Sequence, residues 1–139
     1  MVHFGTPEPR DDDPIRALTC AAAMIEEIRV WNIVRAARGE VNISIGIGMH
    51  YGNVVVGNIG HSQRLEYTVL GDTVNLASRL ERLTRQTQST LVVSEALVKA
   101  VRERGSDPET IVIGLRSDES HQVPGRDHAI SIWYLPTAA

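Results

Sequence analysis

The sequence predicts an α/β (α+β) fold in which a sheet carries helices on its faces. Three observations predict it. Apolar residues recur at helical spacing from Ile15 to Ile28 and again from Val74 to Leu83. Alternating or β-branched runs, Val41 to Ile47 and Thr90 to Val93 among them, lie between these stretches. The order of elements, with hairpins between helices, suits a layered sheet rather than a helical bundle or a sandwich.

Met1 to Gly5 reads as the end of a strand, punctuated by the prolines of Thr6 to Pro9. A strand at residue 1 carries the expectation that the domain starts upstream of this chain. Asp11, Asp12 and Asp13 precede Pro14, which suits a first helical position, and carboxylates suit a helix N-terminus. Capping explains the three Asp better than a metal site. The helix carries Ile15, Leu18, Ala22, Ile25 and Ile28 on one face and stops at Gly39, after Arg35 and Arg38.

Val41, Ile43, Ile45 and Ile47 alternate with polar residues as in a half-buried strand, and Gly52 and Asn53 turn it into a second strand at Val54 to Val56. Glycines 46, 48 and 52 do not fit a dinucleotide fingerprint, which needs two residues between its second and third Gly and a strand–helix unit around them. Glu66 to Leu70 is a short strand ended by Gly71, and Asp72 caps a helix with Val74, Ala77, Leu80 and Leu83 as its apolar stripe. Thr90 to Val93 is a strand, and Ser94 caps a helix ending near Gly105. Thr110 to Leu115 and Ala129 to Leu135 read as strands, with a polar loop from Arg116 to Arg126 between them. One domain over residues 1–135 is expected, with a frayed tail at 136–139.

The composition is that of a soluble globular domain, with 42% hydrophobic and 22% charged residues. The formal net charge of -3 and 4% aromatics speak against a nucleic-acid partner. The single cysteine, Cys20, excludes an internal disulfide and reads as a small buried core residue. No run approaches the ~18 apolar residues of a membrane span, and no signal pattern opens the chain, so a cytoplasmic location is expected.

Asn75 and Arg79 stand four residues apart, on one face of the predicted helix. An amide beside a planar, permanently charged guanidinium suits an anionic, phosphate-like transition state. On spacing alone, a solvated helix face accounts for the pair better, because the pattern is too short to be specific.

The surrounding words decide otherwise. GIGMHYGNVVVGNIG and QRLEYTVLGDTVNLASRLE, together with MVHFGTP at the start and VPGRDHAISIWYL near the end, resemble the class III adenylate and guanylate cyclase catalytic domain. The resemblance covers essentially the whole chain as the C-terminal portion of that domain, with the metal-binding N-terminal part absent. It implies a ferredoxin-like α/β sheet with helices on its faces, working as a head-to-tail homodimer or heterodimer. Each shared site takes two metal-binding Asp from one protomer and an Asn and an Arg from the other. Two divalent metals, Mg²⁺ or Mn²⁺, activate the 3′-hydroxyl and clamp the triphosphate in the family's reaction.

Carried across, Asn75 matches the residue that positions the ribose and Arg79 the one that stabilises the phosphorus transition state. Thr68 matches a base-selecting position; its hydroxyl suits ATP, with GTP the lesser alternative, while a plain strand Thr is the competing account. Two departures stand out. Both metal-binding Asp of the family fall upstream of Met1. The family's pyrophosphate-binding Lys falls at Pro124, with Arg126 nearby as a partial substitute. His3, His50, His61, His121 and His128 match no family ligand. The implied activity is adenylate cyclase, ATP to cyclic AMP and pyrophosphate, in intracellular signalling. The isolated chain is expected to be inactive, and the alternative is a non-catalytic, degenerate cyclase-like regulatory or dimerisation module.

Overall fold

The computed structural model describes residues 1–61, 64–121 and 129–137. Helix α1 (Asp13–Ala37) leads to strands β1 (Ile47–Met49), β2 (Val55–His61) and β3 (Arg64–Leu70). Helix α2 (Asp72–Gln86), strand β4 (Ser89–Ser94), helices α3 (Glu95–Glu103) and α4 (Pro108–Ile111), and strands β5 (Arg116–His121) and β6 (Ile130–Pro136) follow. The described strands form a four-stranded sheet in the order β1-β4-β6-β5 and a separate two-stranded ribbon, β2-β3. β1 runs parallel to β4; the β4–β6 and β5–β6 pairs are antiparallel.

β4 is the spine of the fold. Leu91 and Val93 point into one cluster with Leu18 and Ala21 of α1 and Leu97, Val98 and Val101 of α3. Val92 points the other way, against Leu76, Leu80 and Leu83 of α2 and Ile132 of β6. The side-chain period of two thus feeds a core on each face, and a strand covered on both faces reads as a nearly continuous apolar run.

Several expectations are corrected. Met1 to Gly5 forms no strand, and Gly5 turns with φ 85°. Residues 41–46 form no ladder: the Asn32 side chain donates to the Ile43 carbonyl and accepts from the Ile43 N–H, both at 2.8 Å, so that backbone is satisfied by α1. The hairpin partner of β2 is β3, whereas β1 crosses over to β4. Residues 108–111 are helical, because the Asp107 carboxylate accepts from the Glu109 N–H and Pro108 opens the turn. The polar stretch from Arg116 begins as a strand, which suits its place at the sheet edge. Cys20 is only half-buried.

Ser94 caps α3 as the sequence predicts, whereas no side chain caps α1 or α2: Asp12 and Gly71 stand at their N-cap positions, and Asp13 and Asp72 are already in the first turns. The Asp13 carboxylate, 7% exposed, accepts from the Arg10 N–H at 2.7 Å and from Arg16 at 2.8 Å. Ser94 Oγ accepts from the Leu97 N–H and lies 2.8 Å from His50 Nδ1. From Met24 on, α1 exposes several large apolar side chains: Met24, Val30, Trp31, Ile33 and Val34.

Glycines set the height of α2 above the sheet. A Cβ on Gly48 would stand 2.1 Å from the Glu81 nitrogen and 2.5 Å from the Ala77 oxygen, and one on Gly46 would stand 2.4 Å from Thr84 Oγ1. The helix backbone therefore rests directly on β1. Gly48→Val should destabilise the fold by ~3 kcal/mol or more, because the obstructing atoms are helix backbone and cannot rotate away. Gly57→Ala, where a Cβ meets nothing within 4 Å, should stay within ~0.5 kcal/mol of the parent. Denaturant midpoints of the two variants measure the difference; equal midpoints would contradict this packing.

Candidate active site

The candidate site is built on α2. Its first turn is held by Gly71, whose φ of 136° lets β3 turn sharply into the helix and whose carbonyl accepts from the Val74 and Asn75 N–H groups. Thr73 Oγ1 donates to the Asn53 carbonyl at 2.6 Å and ties the same turn to the segment before β2. Leu76, Leu80 and Leu83 anchor the helix in the core, and the glycines at 46 and 48 fix its distance from the sheet. The side chains beside that stripe thus project from a rigid support.

Asn75 is exposed and Arg79 half-buried, one turn apart along that support. The structure brings them onto one face, as their spacing predicts. Thr68 lies half-buried on β3, opposite Gly57, four residues before the first residue of α2. Arg126 and Pro124 lie outside the described residues. Of the histidines, His50 is engaged with Ser94 and His3 is exposed.

One feature is not among the sequence-based expectations. Arg79, Arg82, Leu83 and Gln86 line a groove of about 100 Å³ along α2. Its signal is nonetheless present, because Asn75, Arg79, Arg82 and Gln86 follow at i, i+4, i+7 and i+11. At 3.6 residues per turn these four fall within about 60° of arc and extend roughly 16 Å along the axis. A second cavity, about 340 Å³, is lined by residues between Val2 and Arg16 and includes none of the site residues.

The two-metal arrangement implied by the family needs converging carboxylates. Among the described residues no three His, Cys, Asp or Glu side chains come together. Asp13, the buried carboxylate, is already engaged by Arg10 and Arg16. The described residues thus hold no such cluster of three, and the chemistry that the α2 face offers is an amide and guanidinium groups for a polar, anionic ligand. No helix among them is long and apolar enough to cross a membrane.

The mixed sheet is backed on both faces, and the Asn–Arg pair stands on the helix that follows a β-ribbon. Comparison with known proteins gives the class. Residues 1–135 match the adenylate and guanylate cyclase catalytic domain. An adenylate cyclase of Anabaena cylindrica is 39% identical over 121 residues, which cover 84% of this chain and 23% of that protein. The adenylyl cyclase CyaB from P. aeruginosa superposes with a TM-score of 0.77 at 26% identity, over 98% of this chain and 66% of that one. The guanylyl cyclase Cya2 gives 0.72 at 31%, over 98% and 64%. The chain belongs to the adenylate and guanylate cyclase catalytic domain family. It spans less than a quarter of the length of its Anabaena relative.

Proposed function

We propose that this chain supplies the Asn/Arg half of an adenylate cyclase site. The observation that carries the reading is the Asn75–Arg79 pair on a helix pinned to the sheet by backbone contact at Gly48. In this reading the ribose hydroxyl oxygen bonds to the α-phosphorus as the bond to the leaving pyrophosphate breaks. Asn75 hydrogen-bonds the ribose and holds the attacking hydroxyl in line. Arg79 meets the negative charge that builds on the phosphoryl oxygens, where a preorganised donor counts most. Thr68 reads the base edge, its hydroxyl accepting from an adenine amino group or donating to a ring nitrogen. Metal-holding carboxylates come from the other protomer of a head-to-tail dimer, and cyclic AMP made there serves cytoplasmic signalling.

ATP should therefore be turned over faster than GTP when this chain is mixed with a cyclase protomer that keeps its metal-binding Asp but has lost its own Asn and Arg. Competition between the two nucleotides in that mixture tests it; equal or greater cyclic GMP formation would overturn the adenine assignment. A second reading, a non-catalytic dimerisation module, is favoured by the lack of a carboxylate cluster among the described residues.

Both readings require association. Met24, Val30, Trp31, Ile33 and Val34 leave a helix face with much apolar surface in water, and β1 stands at the sheet edge. Size-exclusion chromatography with light scattering should give dimers or larger species at micromolar concentration; a monodisperse monomer would count against both.

A further inference from the structure

The polar ridge of α2 continues beyond the pair that the proposed function uses. Arg82 stands one turn after Arg79, and both line the groove together with Leu83 and Gln86. The next arginine, Arg85, is engaged by Glu81 at 3.1 Å, whereas among the described residues no carboxylate engages Arg82. Arg82 is exposed, while the Leu83 beside it is 1% exposed and anchors the backbone from which both guanidiniums extend. Arg79 and Arg82, at i and i+3, have Cβ atoms about 5–6 Å apart, close enough for both guanidiniums to reach one polyphosphate chain.

We infer that Arg82, with Gln86 as a neutral donor, binds the outer phosphates of a nucleoside triphosphate whose α-phosphate lies at Arg79. This rests on the proposed cyclase half-site. It assigns to α2 the charge that the Pro124 position does not carry. Most of the charge on the outer phosphates is already present in the substrate, and only part arises on the leaving pyrophosphate as its bond to the α-phosphorus breaks, so Arg82 acts mainly on binding: it lowers KM and changes kcat less. Arg79, by contrast, meets charge that appears only during reaction.

Two measurements on the full chain test this. The first needs no activity: calorimetric titration with inorganic tripolyphosphate, comparing the parent with Arg82→Gln, Arg82→Lys and Arg85→Gln. Loss of a charge-assisted contact should weaken Arg82→Gln by ~10-fold, while Arg85→Gln stays within ~2-fold and Arg82→Lys, which keeps the charge, falls between. The second is ATP turnover by the mixture of this chain with the complementary protomer, where Arg82→Gln should raise KM by ~10-fold with kcat within ~2-fold. Arg82→Gln that matches Arg85→Gln in tripolyphosphate affinity overturns the inference, as does a parent chain that binds no tripolyphosphate. If the titration shows the Arg82 effect but no mixed pair turns over ATP, the anion site stands and the cyclase reading fails. A fall in kcat with KM unchanged would assign Arg82 to the transition state and contradict a role in binding the outer phosphates.

Discussion

Arg79→Ala should slow cyclic AMP formation by the mixed pair about 10²–10³-fold, the usual effect of removing one preorganised donor from a developing oxyanion. The expectation follows from where Arg79 stands. Its helix cannot move closer to β1, because Gly48 already brings the strand against the backbone at Ala77 and Glu81. Its backbone is anchored by Leu76, Leu80 and Leu83. A neighbouring side chain therefore has no easy way to move into the gap. The loss should appear in kcat and kcat/KM together, since the charge that Arg79 meets arises during reaction. Arg85→Ala, at an exposed position paired with Glu81, should leave the rate within about 2-fold. Undiminished activity in Arg79→Ala would refute the role assigned to this residue.

The 139 residues by themselves should form no measurable cyclic nucleotide from ATP or GTP with Mg²⁺ or Mn²⁺. In the family's arrangement, one protomer brings the carboxylates and the other the Asn and Arg. Two copies of this chain bring two Asn75–Arg79 sets, and among the described residues neither copy brings three His, Cys, Asp or Glu side chains together. Enzymatic phosphoryl transfer rests almost wholly on positioning and electrostatics, so half a constellation forfeits most of the acceleration. Turnover of radiolabelled ATP by purified chain, compared with the mixed pair, measures this. Robust product from the chain alone would show that it carries a complete site.

The helices α1, α2 and α3 are legible in the sequence because their information is local. A 3.6-residue apolar period, an Asp or Ser at the first turn and a Gly or Arg at the last need no distant partner. The same period puts Asn75 and Arg79 on one helix face. Strands are harder, because pairing is a tertiary fact. The alternation from Val41 to Ile47 resembles a ladder, yet Asn32 of α1 takes both backbone groups of Ile43. β1 finds β4 across a crossover of about 40 residues, a parallel pairing that leaves no turn signature. The polar composition from Arg116 suits a loop and an edge strand equally, and only β6 beside it decides. The signal for Arg82 in the sequence is only its place in the series Asn75, Arg79, Arg82 and Gln86, which a solvated helix face would also show. A single exposed arginine on a helix is ordinary, and the groove exists only as a ridge of side chains along α2.

The central claim is that this chain donates a working Asn/Arg half-site. The most direct measurement is cyclic AMP formed by the mixed pair, set against each protein alone. The account predicts product from the mixture at a rate well above the sum of the two separate proteins. Heterodimers demonstrated by light scattering that form no cyclic AMP would contradict it.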